Sequence, residues 1–153
     1  MCSSDLAFFG AAYDTIIPAD PLSPSGTDCG CVVYIDRQLA GAWGNGARMY
    51  RNGPFLQGKA EYGYQLPLTP REFFAAGIAA ANAWSRKTYG MDFDRLEPAK
   101  RAEALTAMEQ SKAEFTGFDA KLFFEAVLQS AMEGFFADPI YGGNRNKIGR
   151  AHV

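Results

Sequence analysis

The chain has 153 residues, 48% of them hydrophobic and 21% charged, with a net charge of −2. That length suits one domain built on a single core. The faintly negative balance excludes nucleic acid as a main partner, because phosphate binding needs a basic surface, and no apolar run approaches the roughly 20 residues of a membrane-spanning helix.

Both ends are explained by one short DNA read on opposite strands. The codons ATC GGA AGA GCA CAC encode Ile148 to His152, and their reverse complement, GTG TGC TCT TCC GAT, encodes Met1 to Asp5 with GTG as start. This DNA matches a common sequencing-library adapter. Residues 1–6 and 148–153 are therefore expected to be adapter scars, and 7–147 an internal fragment whose native ends are missing. Without the scars the only histidine, His152, and one cysteine, Cys2, are gone, and the charge stays at −2.

Leu6 to Ile17 places Phe9, Tyr13 and Ile16 on one helical face, and Pro18, Pro21 and Pro24 stop that helix and open a loop to residue 28. Cys29 and Cys31 flank a single glycine, a spacing too tight for a relaxed disulfide. With no histidine and no third cysteine in 7–147, a tetrahedral zinc site lacks ligands unless carboxylates complete it. Two buried or idle thiols are the favoured reading, an intermolecular contact the alternative. Val32, Val33, Ile35, Asp36 and Leu39 suit either a helix or a buried strand, and the ending at Gly41 tips them toward a helix capped by that glycine. Ala42 to Pro67 is rich in Gly, Tyr, Asn and Pro without periodicity, which suggests a long irregular arm.

Thr69-Pro70-Arg71-Glu72 forms a capping box. It opens a helix whose face carries Phe73, Phe74, Gly77, Ile78, Ala81 and Trp84 and which ends at Tyr89-Gly90. Phe93 and Leu96 sit in a turn, and Pro98 opens another helix to about Gln110 with Ala102, Leu105 and Met108 inward. On that helix Lys100, Arg101, Glu103, Glu109 and Lys112 form a solvated face. Asp119 caps a last helix in which Leu122, Phe123, Ala126, Val127, Ser130 and Ala131 recur at helical spacing. The fold class is mainly α, a single small domain of about four to six helices.

That last helix runs into Glu133 to Lys147, where Pro139 forbids continuation and Gly142 and Gly143 can take angles closed to other residues. Tyr141 offers a flat amphipathic surface, and Asn144, Arg145, Asn146 and Lys147 offer donors for a partner's carboxylates or carbonyls. Glu133, Asp138 and Arg145 are the only catalytic trio worth naming, yet a last-turn carboxylate and a turn-forming Asp-Pro account for their spacing equally well. Neither Gly41 to Gly46 nor Gly142 to Lys147 has the spacing or setting of a nucleotide fingerprint, so no flavin site is evident.

Four blocks carry a family resemblance. Ile17-Pro18-Ala19-Asp20, Tyr34-Ile35-Asp36-Arg37-Gln38-Leu39-Ala40-Gly41, Gly63-Tyr64-Gln65-Leu66-Pro67-Leu68-Thr69-Pro70 and Met132 to Arg145 resemble, in that order, the gluconate 2-dehydrogenase subunit 3 family. The resemblance implies a non-catalytic small (gamma) subunit that holds no cofactor or metal of its own. Its implied partners are a large subunit containing FAD and a cytochrome c subunit carrying haem c. It further implies twin-arginine export, a periplasmic location and membrane association only through the complex, with gluconate, glucose or a polyol as the oxidised substrate. The export signal and the aromatic tail expected after Arg145 are missing from this sequence. Candidates for the partner interface are Tyr62, Tyr64, Phe135, Phe136, Tyr141, Gly142, Gly143, Asn144 and Arg145. The alternatives are a self-contained enzyme acting on a sugar acid through its carboxylates, or a helical binding module for another exported oxidoreductase.

Overall fold

Five helices, with no strand among the described residues 2–56, 58–59 and 65–148, make up the computed structural model. Helix α1 (Ser3–Ile16) buries Phe8, Phe9, Ala12 and Tyr13. Ile16, expected on the same face, is only partly buried. Helix α2 (Cys31–Ala40) settles the ambiguous apolar run as helix and buries Cys31, Ile35 and Leu39. It stops at Gly41 as expected, but not through a left-handed turn. Gly41 is extended (φ −81°, ψ −170°), and its N–H donates to the carbonyls of Arg37 and Gln38.

The expected capping box is present at the start of α3 (Pro70–Tyr89). The Thr69 N–H donates to Glu72 Oε2 at 2.8 Å, and the Glu72 N–H donates back to Thr69 Oγ1 at 3.3 Å. The Thr69 backbone N–H, and after it the Thr69 hydroxyl, hold the Glu72 carboxyl below its ordinary range. Gly90, left-handed at φ 84°, closes the helix. Between α2 and α3 the described residues form turns without helix or strand. That segment is fastened at its two ends by Arg71. The Arg71 guanidinium donates to the Leu39 carbonyl at 3.0 and 2.7 Å, and its backbone N–H donates to Gly44 O at 3.1 Å.

A 3-10 turn at Phe93–Arg95 buries Phe93, and α4 (Pro98–Glu109) follows with Ala104, Leu105 and Met108 inward. Ala102 was expected in that set and is instead exposed. Arg101, expected among solvated charges, is half-buried and donates to the Asp94 carbonyl at 2.7 Å. Helix α5 (Ala120–Phe136) is capped by Asp119, whose Oδ1 accepts from the Leu122 N–H at 2.9 Å. Its buried face is Phe123, Val127, Ser130 and Ala131 as expected, with Leu122 turned out. Leu122 lies about 100° round the helix from Phe123, off the face that Phe123, Val127, Ser130 and Ala131 bury.

Helices α1 and α5 each touch all four others and form the centre of the bundle. The Phe123 ring lies against Gly77, where a Cβ would come within 2.1 Å of it, and its centroid is 5.7–6.4 Å from those of Phe8, Phe73, Phe74, Phe115 and Phe118. A buried polar pair ties the two central helices. Ser130 Oγ donates to the Val127 carbonyl, which leaves Tyr13 to donate to Ser130 at 2.8 Å. No helix among the described residues is long and apolar enough to cross a membrane.

Phe123→Ala is expected to lower unfolding free energy by about 3–5 kcal/mol, and Leu122→Ala by about 0.5 kcal/mol or less. Urea titrations followed by far-UV circular dichroism measure both.

Candidate functional site

The segment after α5 folds back instead of projecting. The α5 cap at Ala137 returns its N–H to Glu133 O, Asp138 Oδ1 accepts from the Ile140 N–H at 3.0 Å, and Pro139–Tyr141 makes one 3-10 turn. Gly142 then reverses the chain in the left-handed region at φ 101°. Gly143 was expected to serve the same purpose and does not. It is required because a Cβ there would lie 2.1 Å from the Gly134 carbonyl oxygen, against the body of α5.

Two long-range backbone bonds fix this return. Asn144 N–H donates to Gly134 O at 2.9 Å, and Arg145 N–H donates to Cys29 O at 3.0 Å. The second lands beside Gly30, whose φ of 90° begins α2 and whose missing side chain makes room for the Gly142 carbonyl. The Asn144 side chain is fully buried, its Oδ1 accepting from the Ile148 N–H and its Nδ2 donating to the Ile148 carbonyl. Cys29 and Cys31 lie under this seam, free and fully buried, with Cys31 Sγ directed at the Ala131 carbonyl. Burial, then the neighbouring Cys29, pushes the Cys31 thiol up to about 12.

Of the interface candidates, Phe136 and Tyr141 are 53% and 55% exposed, with Ile140 at 75% and Met132 at 44% beside them in sequence. Arg145, Asn146 and Lys147 are also on the surface. Phe135, Gly143 and Asn144 are buried and hold the loop from inside. Asn144 therefore spends both ends of its side-chain amide within the chain, on the backbone of Ile148. Gly142 is half-buried at the turn. Tyr62 and Tyr64 lie outside the described residues.

A surface depression of about 570 Å³ is lined by Tyr34 and Gln38 of α2 and by Glu133, Phe136, Ala137, Asp138 and Tyr141. Tyr34 Oη donates to Glu133 Oε2 at 3.2 Å, and Gln129 Nε2 donates to Glu133 Oε1 at 2.8 Å. Burial, the Glu133 charge and the hydrogen bond to it push the Tyr34 phenol up to about 12, so it stays a donor at neutral pH. Arg37 Nη1 donates to the Ile140 carbonyl at 3.4 Å, which fastens the turn to α2. Tyr34, Arg37 and Gln38 were not singled out from the sequence as site residues. Their i, i+3 and i+4 spacing on a helix was the available signal. Of the catalytic trio, Glu133 and Asp138 line the depression, and both carboxylates accept local hydrogen bonds. No group of three or more His, Cys, Asp or Glu able to hold a metal occurs among the described residues.

Gly143→Ala is expected to free the returning segment, seen as faster limited proteolysis within 137–147 while circular dichroism retains the five helices. Alkaline pH acts on the buried acids. Tyr13, raised by burial despite its Ser130 bond, joins Cys31 and Tyr34 in staying protonated longer in the fold than in the open chain. Their contribution is complete below about pH 9 and is lost as pH rises toward 12. Melting temperature is expected to hold to pH 9 and fall above it, with ionisation of Tyr13 and Tyr34, read at 295 nm as the difference from Tyr13→Phe and Tyr34→Phe, delayed until unfolding.

Comparison with curated proteins and with solved structures returned no match. A family model, gluconate 2-dehydrogenase subunit 3, matches residues 3–149, nearly the whole length and all of the seam and depression just described. The chain belongs to the gluconate 2-dehydrogenase subunit 3 family.

Proposed function

We propose that this chain is the non-catalytic small subunit of an FAD-dependent dehydrogenase of the gluconate or glucose type, which stabilises the flavoprotein subunit and escorts it for export. The family name supports an accessory place in a dehydrogenase complex. The observation that carries the finer reading is the cluster of exposed apolar side chains, Phe136 at the end of α5 with Ile140 and Tyr141 on the turn after it, which the backbone N–H groups of Asn144 and Arg145 tie to Gly134 and Cys29. Large apolar side chains on a well-anchored turn suit a docking surface. A rigid turn loses little further entropy on binding.

In this reading FAD and haem c reside in the large subunit and a cytochrome c subunit, and substrate choice belongs to the flavoprotein. The assembled complex works in the periplasm and meets the membrane through its other subunits. Co-expression with the large subunit of such a dehydrogenase is the test. Soluble, flavin-loaded large subunit is expected to rise severalfold when this chain is present, and export is scored with a twin-arginine signal joined to the start of the chain. Equal yield with and without it would overturn the proposal.

A further inference from the structure

The depression beside the exposed turn has a composition that apolar docking leaves unexplained. Two carboxylates, Glu133 and Asp138, share it with the rings of Tyr34, Phe136 and Tyr141. A purely apolar anchor entering there would strip water from the Glu133 charge without replacing it, which is unfavourable.

The charge on Glu133 is oriented but not neutralised. Its donors among the described residues, the Tyr34 hydroxyl and the Gln129 amide, are neutral, and among those residues it forms no ion pair. The nearby cation, Arg37, is drawn to the Ile140 carbonyl and packs against Gly142. Tyr34 and Gln129 hold the carboxylate in a fixed orientation, and the protonated Tyr34 cannot supply a positive charge. Three aromatic side chains with two carboxylates form a setting for a cation on an apolar stem. The planar guanidinium of arginine suits it best, since it stacks on rings and donates in a fork to carboxylates.

We propose that this depression is the socket for an arginine side chain of the large subunit, with the rings of Tyr34, Phe136 and Tyr141 packing around its stem. The inference rests on the reading that the chain binds that subunit. Charge pairing there sets register, and the apolar turn supplies contact area.

The test is capture of the large subunit by tagged, co-expressed chain. Four forms are compared: wild type, Glu133→Gln, Glu133→Arg and the exposed α4 control Glu109→Gln, with melting temperatures confirming folding. Glu133→Gln is expected to capture severalfold less than wild type and Glu133→Arg about tenfold less or lower, with Glu109→Gln unchanged. A benzophenone side chain at position 141 is expected to crosslink to a peptide containing arginine, and reversing that arginine to glutamate is expected to restore capture by Glu133→Arg. Equal capture by wild type and folded Glu133→Arg would overturn the socket while leaving the accessory role intact. A crosslinked peptide without arginine, or no rescue by the reversal, would also overturn it. Failure of wild type to capture any large subunit would overturn both readings.

Discussion

The contact between the Phe123 ring and the bare backbone of Gly77 is the one on which the bundle depends. It lets α3 and α5 approach more closely than any side chain at position 77 would allow. From that position the ring meets Phe8 of α1, Phe73 and Phe74 of α3, and Phe115 and Phe118 from the connection before α5. Offset and edge-on aromatic pairs add directional preference to the area they bury, so this cluster specifies how the helices are rotated as well as that they associate. With α5 so placed, its far end meets the start of α2, and the loop beyond it has a surface to return to.

Much of this was legible where the determinant is local. Thr69 with Glu72, Asp119 and Gly90 act within a few residues of where they stand, and each does what its type and position dictate. Ala102 and Ala104 show the limit. The two lie about 200° apart round the helix, yet Ala102 is i, i+3 from Leu105 and Ala104 is i, i+4 from Met108. In a helix of small and charged residues either can therefore complete the apolar face, and the choice is made by what α1 and α5 present to α4. Gly143 shows another. Its type was read as a demand for unusual backbone angles, while the actual demand is proximity to Gly134, a tertiary fact that no local pattern contains.

The site was legible in outline and not in orientation. Exposed aromatics beside an Asp-Pro and a Gly-Gly correctly marked a shaped loop. That Phe136 and Tyr141 face outward while Phe135 and Asn144 face inward follows from bonds to Cys29 and Gly134, the first more than 100 positions away in the chain. The same separation hid Tyr34, Arg37 and Gln38, whose part in the depression exists only once α2 lies beside α5. Family membership covers both regions together, and the geometry explains why they form one physical unit.

Arg71 has a consequence for how this chain tolerates change. It binds the carbonyl at the end of α2 from the first turn of α3, so the helices on either side of the intervening segment are joined by a direct clasp. A segment whose ends are held together contributes to stability chiefly through the entropy of closing it, and doubling its length costs only about 0.6 kcal/mol. The surface turns at 50–56 can thus be lengthened, shortened or exchanged with little effect on the five-helix body. They are the natural place for members built on this plan to diverge, ahead of the Gly63 to Pro70 block that carries the resemblance.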